Sequence, residues 1–280
     1  MGKYLKLLRL EDQYLQIGAV LASAIFFQID RTRVTWWLIA TTCISIVGFI
    51  VNEVTDRHDT DKHSWNGVHM ASWKGVHMGI VWAMGAIFSV VGLFISRELG
   101  VLTWAIVMYI FAIGYSAKPL RFKGVFGLDI ISQLLVWWII PFMGLAWGQV
   151  ATWWLLYLTV MAGGFLWSAF YPYQIADYDA DKKATIHPTH VVLGIIPSLR
   201  IGLLSGVIAT LLYVLAPVLW TQWWMWPFCA LLVICIRKYL KWMKQGAQSK
   251  TLKSLQQYVF LFKPFTQLLV VYLAVIYFFF

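Results

Sequence analysis

The sequence predicts an all-α, polytopic membrane protein with about nine transmembrane helices. Three observations lead there. Of 280 residues, 61% are hydrophobic and 12% charged, and a soluble domain carries roughly twice that charged fraction. Mean hydropathy is +0.72. Apolar runs approaching the ~20 residues needed to cross a bilayer recur along the whole chain.

The runs do not alternate in the manner of barrel strands, so each is expected to be a helix. The candidate spans are 14–30, 34–51, 77–96, 100–116, 127–148, 151–172, 191–217, 219–237 and 259–279. No linker or shift in composition divides residues 1–280, so one domain is expected. The segment 238–258, "KYLKWMKQGAQSKTLKSLQQY", is basic and amphipathic, and is expected to lie along the membrane surface. The N-terminus "MGKYLKLLRLEDQYLQ" is basic and amphipathic without a small-residue cleavage site, so no cleavable signal peptide is expected. Cys43, Cys229 and Cys235 lie in apolar runs and read as buried, inert thiols.

Charge sets the orientation. With nine spans, one face receives the N-terminus and the loops near 52–76, 117–126, 173–190 and 238–258, which hold most of the lysines and arginines. The opposite face receives Arg31, Arg33 and Arg97. The basic face is therefore expected in the cytoplasm. The same bias accounts for the net charge of +10 without a nucleic-acid partner. Trp36, Trp37, Trp153, Trp154, Trp220, Trp223 and Trp224 fall at the opposite ends of the spans and read as interfacial anchors.

The acidic residues are concentrated against this basic background. Glu53, Asp56, Asp59 and Asp61 occupy "NEVTDRHDTD" (52–61), and Asp177, Asp179 and Asp181 occupy "QIADYDAD" (174–181). Asn52, Asp56 and Asp59 share one face if the second helix continues through them. Asp177 and Asp181 are likewise four apart, with Gln174 on the same side and Asp179 pointing away. Oxygen-only clusters suit a hard cation such as Mg²⁺, which keeps waters and bridges to substrate phosphates. Two such clusters face to face can hold a metal-bound diphosphate. Between them, "GYSAKPLRFKG" (114–124) supplies Lys118, Arg121 and Lys123 as counter-charges for phosphate oxygens. Asp129, near the start of the fifth span, reads as interfacial or as a partner for a basic loop residue.

These three stretches resemble the motifs of the UbiA superfamily of intramembrane prenyltransferases. That family carries N-D-x-x-D-x-x-x-D after its second helix, a loop of the form Y-S-x-P-P-x-R-x-K-x-x-G, and D-x-x-x-D after its sixth. Here "NEVTDRHDTD", "YSAKPLRFKGVFG" and "QIADYDAD" stand in that order. Departures are Glu53 and Thr60 for Asp, Gln174 for a frequent Asp, and Lys118 for a frequent Pro. Asp59 and Asp61 flank Thr60, and helical facing favours Asp59 as the third ligand of the first site. The segment "KHSWNGVHMASWKGVHMG" (62–79) matches no subfamily pattern.

The resemblance implies Mg²⁺-dependent transfer of a prenyl group from an allylic diphosphate to a small, lipophilic acceptor, in the first instance aromatic. Metal ligands are then Asn52, Asp56, Asp59, Asp177 and Asp181. Diphosphate contacts are Lys118, Arg121, Lys123 and Lys182. The expected catalytic residues are Asp56, Asp177 and Tyr115, the tyrosine stabilising an allylic cation together with Tyr171 or Tyr173. The expected location is a prokaryotic inner membrane with the site facing the cytoplasm. A UbiA-type terpene cyclase is the nearest alternative. A di-iron enzyme using His58, His63, His187 and His190, or a transporter, stands further off.

Overall fold

The computed structural model describes residues 4, 7–57, 76–135, 146–147, 164–165, 167–169, 171–220, 223–247 and 249–279. These residues are helical or loop, with no strand among them. The helices are α1 (Tyr14–Phe27), α2 (Arg31–Asp56), α3 (Met78–Glu98), α4 (Leu102–Ser116), α5 (Tyr178–Lys183), α6 (Thr189–Leu193), α7 (Ile195–Trp220), α8 (Trp226–Gln245) and α9 (Ser249–Phe279). Residues 128–135 and 171–176 are also helical. The predicted spans 127–148 and 151–172 lie largely outside the described residues, as do Asp59, Asp61, His58 and His63.

Five of these helical stretches are long and apolar enough to cross a membrane: Arg31–Asp56, Met78–Glu98, Ile195–Leu215, Trp223–Gln245 and Ser249–Phe279. Their outward faces carry large apolar side chains. Val90, Leu204 and Phe260 are 69%, 62% and 61% exposed, surface that a bilayer covers.

Local chemistry sets the helix ends. Asp30 caps α2 by accepting a hydrogen bond from the Arg33 backbone N–H at 2.9 Å, satisfying one of the donors a helix start leaves over. α2 runs five residues beyond its predicted end, so Asn52 and Asp56 stand one turn apart on one helix. α2 packs on α3 and α4, α7 on α8, and α9 on α1. One large core joins these helices, and a smaller one gathers Leu7, Leu8, Ile46, Ile50 and Val81 beneath the N-terminal segment.

Two expectations are corrected. The segment 238–258 is the end of α8 and the start of α9, folded into a hairpin at Gly246 (φ 73°), a left-handed position that glycine fills without a Cβ penalty. Its apolar stripe faces protein: Tyr239, Trp242, Leu255 and Tyr258 are buried, and Trp242 donates to Ser254 Oγ at 3.0 Å. Amphipathic periodicity records an apolar neighbour, and here that neighbour is the bundle. Trp37 and Trp224 are likewise buried, Trp37 lying edge-on to Trp147 at 5.1 Å. Trp36 and Trp223, 49% and 56% exposed, keep the outward position an anchor requires.

Candidate active site

The first acidic stretch ends α2. Asn52 Oδ1 accepts a hydrogen bond from Ser116 Oγ at the end of α4. Asp56 is buried and accepts from the Lys123 ammonium, which is buried with it. Glu53, on the next face, is held by Arg9, whose Nε stands 3.2 Å from Oε1. Arg9 also spans to Asp12 at 3.6 Å, and Asp12 pairs with Lys263 of α9 at 2.6 Å. Glu53 is thereby tied to the N-terminal segment.

The middle loop follows α4. Arg121 takes a left-handed backbone (φ 37°), a conformation that costs a non-glycine residue of order 1 kcal/mol or more and concentrates at functional sites. Its N–H bonds to Ala117 O at 2.7 Å, and the 3-10 turn Phe122–Gly124 follows. Gly114 makes this fold-back possible, because a Cβ there would stand 2.7 Å from the Phe122 ring. The turn delivers Lys123 inward onto Asp56, while Lys118 is exposed at the loop's outer edge.

The segment that follows the second acidic stretch meets the same loop. His187 N–H donates to Gly124 O at 3.2 Å, and Gly127 N–H to Thr189 Oγ1 at 2.9 Å. Asp177 begins α5 and its carbonyl accepts from Asp181 N–H at 2.9 Å. Asp179 is exposed, as its spacing predicted. Asp181 Oδ2 stands 3.0 Å from Nε2 of the buried His190. Lys182 is exposed and lies 5.8 Å over the Tyr178 ring, on the outer side of α5. The loop of residues 117–127 therefore touches Asp56 of the first acidic stretch through Lys123, and through Gly124 and Gly127 the 187–189 segment, which follows the second stretch and is tied back to it by Ile186 N–H donating to Asp181 O at 3.3 Å.

Tyr115 precedes Ser116 and its hydroxyl accepts from Gln133 Nε2 at 2.8 Å. The other tyrosines are used elsewhere. Tyr171 is buried and stacked on Trp167 at 4.1 Å, and Tyr173 donates to Val259 O at 3.1 Å. Asp129 is 1% exposed, and among the described residues its hydrogen-bond partner is not a basic loop side chain: it accepts from the Thr189 N–H and hydroxyl. Its partner is sixty residues away, which no local spacing announces.

A cavity of about 670 Å³ opens beside the loop. Lys118, Arg121 and Ser116 line one part of it, and the rest runs between α2, α3 and α4 past Val51, Gly85 and Ile113. Ser89 and Tyr109, hydrogen-bonded to each other, also line it. Two cationic side chains thus adjoin an apolar groove.

The sequence profile of the UbiA prenyltransferase family matches residues 15–279. The chain belongs to this family. No curated protein matches it significantly. Solved UbiA structures share its fold. A UbiA homolog from Archaeoglobus fulgidus bound to GPP and Mg²⁺ is 18% identical, with a TM-score of 0.68 over 96% of this chain and 99% of that one. A UbiA homolog from Aeropyrum pernix K1 in the apo state is 12% identical, with a TM-score of 0.72 over 95% and 97%. A structure of digeranylgeranylglyceryl phosphate synthase is 17% identical, with a TM-score of 0.67 over 96% of each chain.

The donors of this UbiA site suit a hard cation shared with a substrate. Asn52 and Asp56 present oxygen one helical turn apart, and Mg²⁺ takes one or two carboxylates plus waters and phosphate oxygens rather than a full protein cage. Among the described residues no three His, Cys, Asp or Glu side chains converge as a closed cluster. Gln174, one turn before Asp177, has both side-chain amide atoms buried with no hydrogen-bond partner among the described residues. Such groups are rare unless a ligand or water satisfies them.

Proposed function

We propose that the protein is an Mg²⁺-dependent intramembrane prenyltransferase that moves an isoprenoid from an allylic prenyl diphosphate to a small lipophilic acceptor, an aromatic ring in the reading favoured here. The observation that carries this is the loop of residues 117–127. It bonds Asp56 of the first acidic stretch through Lys123 and the segment that follows the second stretch through Gly124 and Gly127, and its Lys118 and Arg121 line an apolar groove. Family membership and the binding of GPP, DMAPP and Mg²⁺ by UbiA homologs of the same fold support it.

In this reading Asn52, Asp56 and Asp59 hold metal on one side, and Asp177 and Asp181 on the other. When bound, Mg²⁺ neutralises charge on the departing diphosphate. Arg121 offers a planar fork and Lys118 and Lys123 point charges to the phosphate oxygens, with Lys182 as an outer contact. The carbon–oxygen bond breaks with its electron pair going to diphosphate. The Tyr115 ring, fixed by Gln133, faces the allylic cation. The groove between α2, α3 and α4 takes the prenyl tail and keeps water from the cation. The acceptor then forms the new bond to the allylic carbon and loses a proton. Lipid is as apolar as the groove, so substrate affinity in this reading comes chiefly from the diphosphate contacts.

The site is proposed to face the cytoplasm of a prokaryotic inner membrane, on the positive-inside bias of the loops. The test is incubation of purified protein with Mg²⁺, prenyl diphosphates of graded length and a panel of aromatic and glyceryl acceptors, followed by mass spectrometry. A prenylated aromatic acceptor is the expected product. A cyclic hydrocarbon or alcohol formed without acceptor would instead mark a terpene cyclase.

A further inference from the structure

Asp129 is a buried carboxylate with no role in the chemistry above. It stands one residue into the helical stretch 128–135 and is 1% exposed. Both of its oxygens are engaged by one residue: Thr189 N–H donates to Oδ2 at 2.9 Å and Thr189 Oγ to Oδ1 at 2.5 Å. Thr189 is the first residue of α6, where a helix leaves backbone N–H groups without internal acceptors. Asp129 supplies that acceptor from another part of the chain. The Thr189 hydroxyl is held from its other side by Gly127 N–H at 2.9 Å. The pairing is therefore two-pronged and closed.

The next residue is His190, 2% exposed, with Nε2 3.0 Å from Asp181 Oδ2. The contact is a close approach to one oxygen of Asp181, and neither ring nitrogen of His190 is in hydrogen-bond geometry with a partner among the described residues. Four residues after Asp129, on the same helical face, Gln133 holds the Tyr115 hydroxyl. One short helical face thus holds both Thr189, the neighbour of His190, and the hydroxyl of Tyr115.

We propose that Asp129 is a positioning residue for the second acidic motif: by clamping Thr189 it seats His190 against Asp181 and fixes the carboxylate's orientation. This rests on the assignment of Asp181 as a ligand of the substrate's metal. Groups hydrogen-bonded behind a ligating carboxylate set its orientation, and their loss typically costs about 10–100-fold in metal affinity or activity. A carboxylate that orients a histidine through an intervening residue acts by geometry, so its removal moves metal affinity before it moves the chemistry of a saturated site.

The experiment uses the full chain in phospholipid nanodiscs. Asp129→Asn, Thr189→Val and Thr189→Ser are compared with wild type for thermal midpoint, Mg²⁺ half-saturation of geranyl diphosphate turnover, and kcat at saturating Mg²⁺. Mn²⁺ binding in the presence of inorganic diphosphate is followed by electron paramagnetic resonance, a readout independent of turnover. Thr189→Val keeps the backbone donor and shape but loses the hydroxyl, while Thr189→Ser keeps both donors. The expected result is a rise of about tenfold or more in Mg²⁺ half-saturation and in the Mn²⁺ dissociation constant for Asp129→Asn and Thr189→Val. Thr189→Ser is expected to match wild type, and kcat to change less than the metal constants.

Unchanged metal constants in a folded Thr189→Val, or loss of kcat alone, overturn the proposal. If Asp129→Asn fails to fold, the Thr189→Val and Thr189→Ser pair still decides it, because the first exchanges the hydroxyl for a methyl, the second keeps the hydroxyl and drops only the methyl, and both retain the backbone bond. A wild-type protein with no Mg²⁺-dependent turnover would overturn the functional reading instead, while Mn²⁺ binding would still report on the clamp.

Discussion

The Lys123 ammonium donates to the Asp56 carboxylate, and the two side chains, 9% and 8% exposed, are buried together. Removing one member of such a pair leaves an uncompensated charge and costs about 3–5 kcal/mol, whereas replacing both by neutral groups is often tolerated. Lys123→Met is therefore expected to lower the thermal midpoint and abolish prenyl transfer. The double variant Asp56→Asn/Lys123→Met is expected to recover the midpoint without recovering transfer. Thermal unfolding in detergent beside a transfer assay separates the two effects.

Arg121 presents its guanidinium at the groove mouth from a left-handed backbone. Lysine would keep the charge and lose the fork that matches a phosphate. Arg121→Lys is expected to raise the KM for geranyl diphosphate about tenfold, equivalent to about 1.4 kcal/mol, with a smaller change in kcat. Steady-state kinetics at saturating Mg²⁺ check this.

Glu53 occupies a motif position where the family usually has Asp, yet its carboxylate is engaged by Arg9 at 3.2 Å. Its expected contribution is to anchor the N-terminal segment. Glu53→Gln should keep about half or more of the turnover and an unchanged Mg²⁺ half-saturation, while lowering the midpoint modestly, since Arg9 loses its buried partner and keeps Asp12. A Mg²⁺ titration of turnover, run beside Asp56→Asn, reports which acid binds metal.

The groove between α2 and α3 is open at Gly85, where an added Cβ would meet Ile50 Cγ2 at an ordinary 3.9 Å. Gly85→Leu therefore starts without a clash and grows into the space assigned to the prenyl tail. Turnover with geranylgeranyl diphosphate is expected to fall about tenfold more than turnover with dimethylallyl diphosphate. Parallel kinetics with the two substrates measure the ratio.

The parts of the site written in local spacing were legible in the sequence. Asn52 and Asp56 stand one turn apart because α2 continues to Asp56, and Lys123 lies in a loop whose basic pattern is continuous in sequence. What local spacing does not carry is the partner. Ser116 for Asn52, His190 for Asp181 and Thr189 for Asp129 are joined by chain reversals rather than by periodicity. The expectations for 238–258 and for Trp37 failed for a related reason: an apolar stripe looks the same whether lipid or protein covers it.

The most direct test of the central claim is Mg²⁺-dependent release of diphosphate from geranyl diphosphate by wild type, Asp56→Asn and Asp177→Asn, measured in the same bilayer preparation. Asparagine keeps the shape and removes the charge a divalent cation needs. The site described here predicts release by wild type that vanishes on chelation, and a loss of at least about 100-fold in each variant at equal folded protein. Release that survives both substitutions would contradict it.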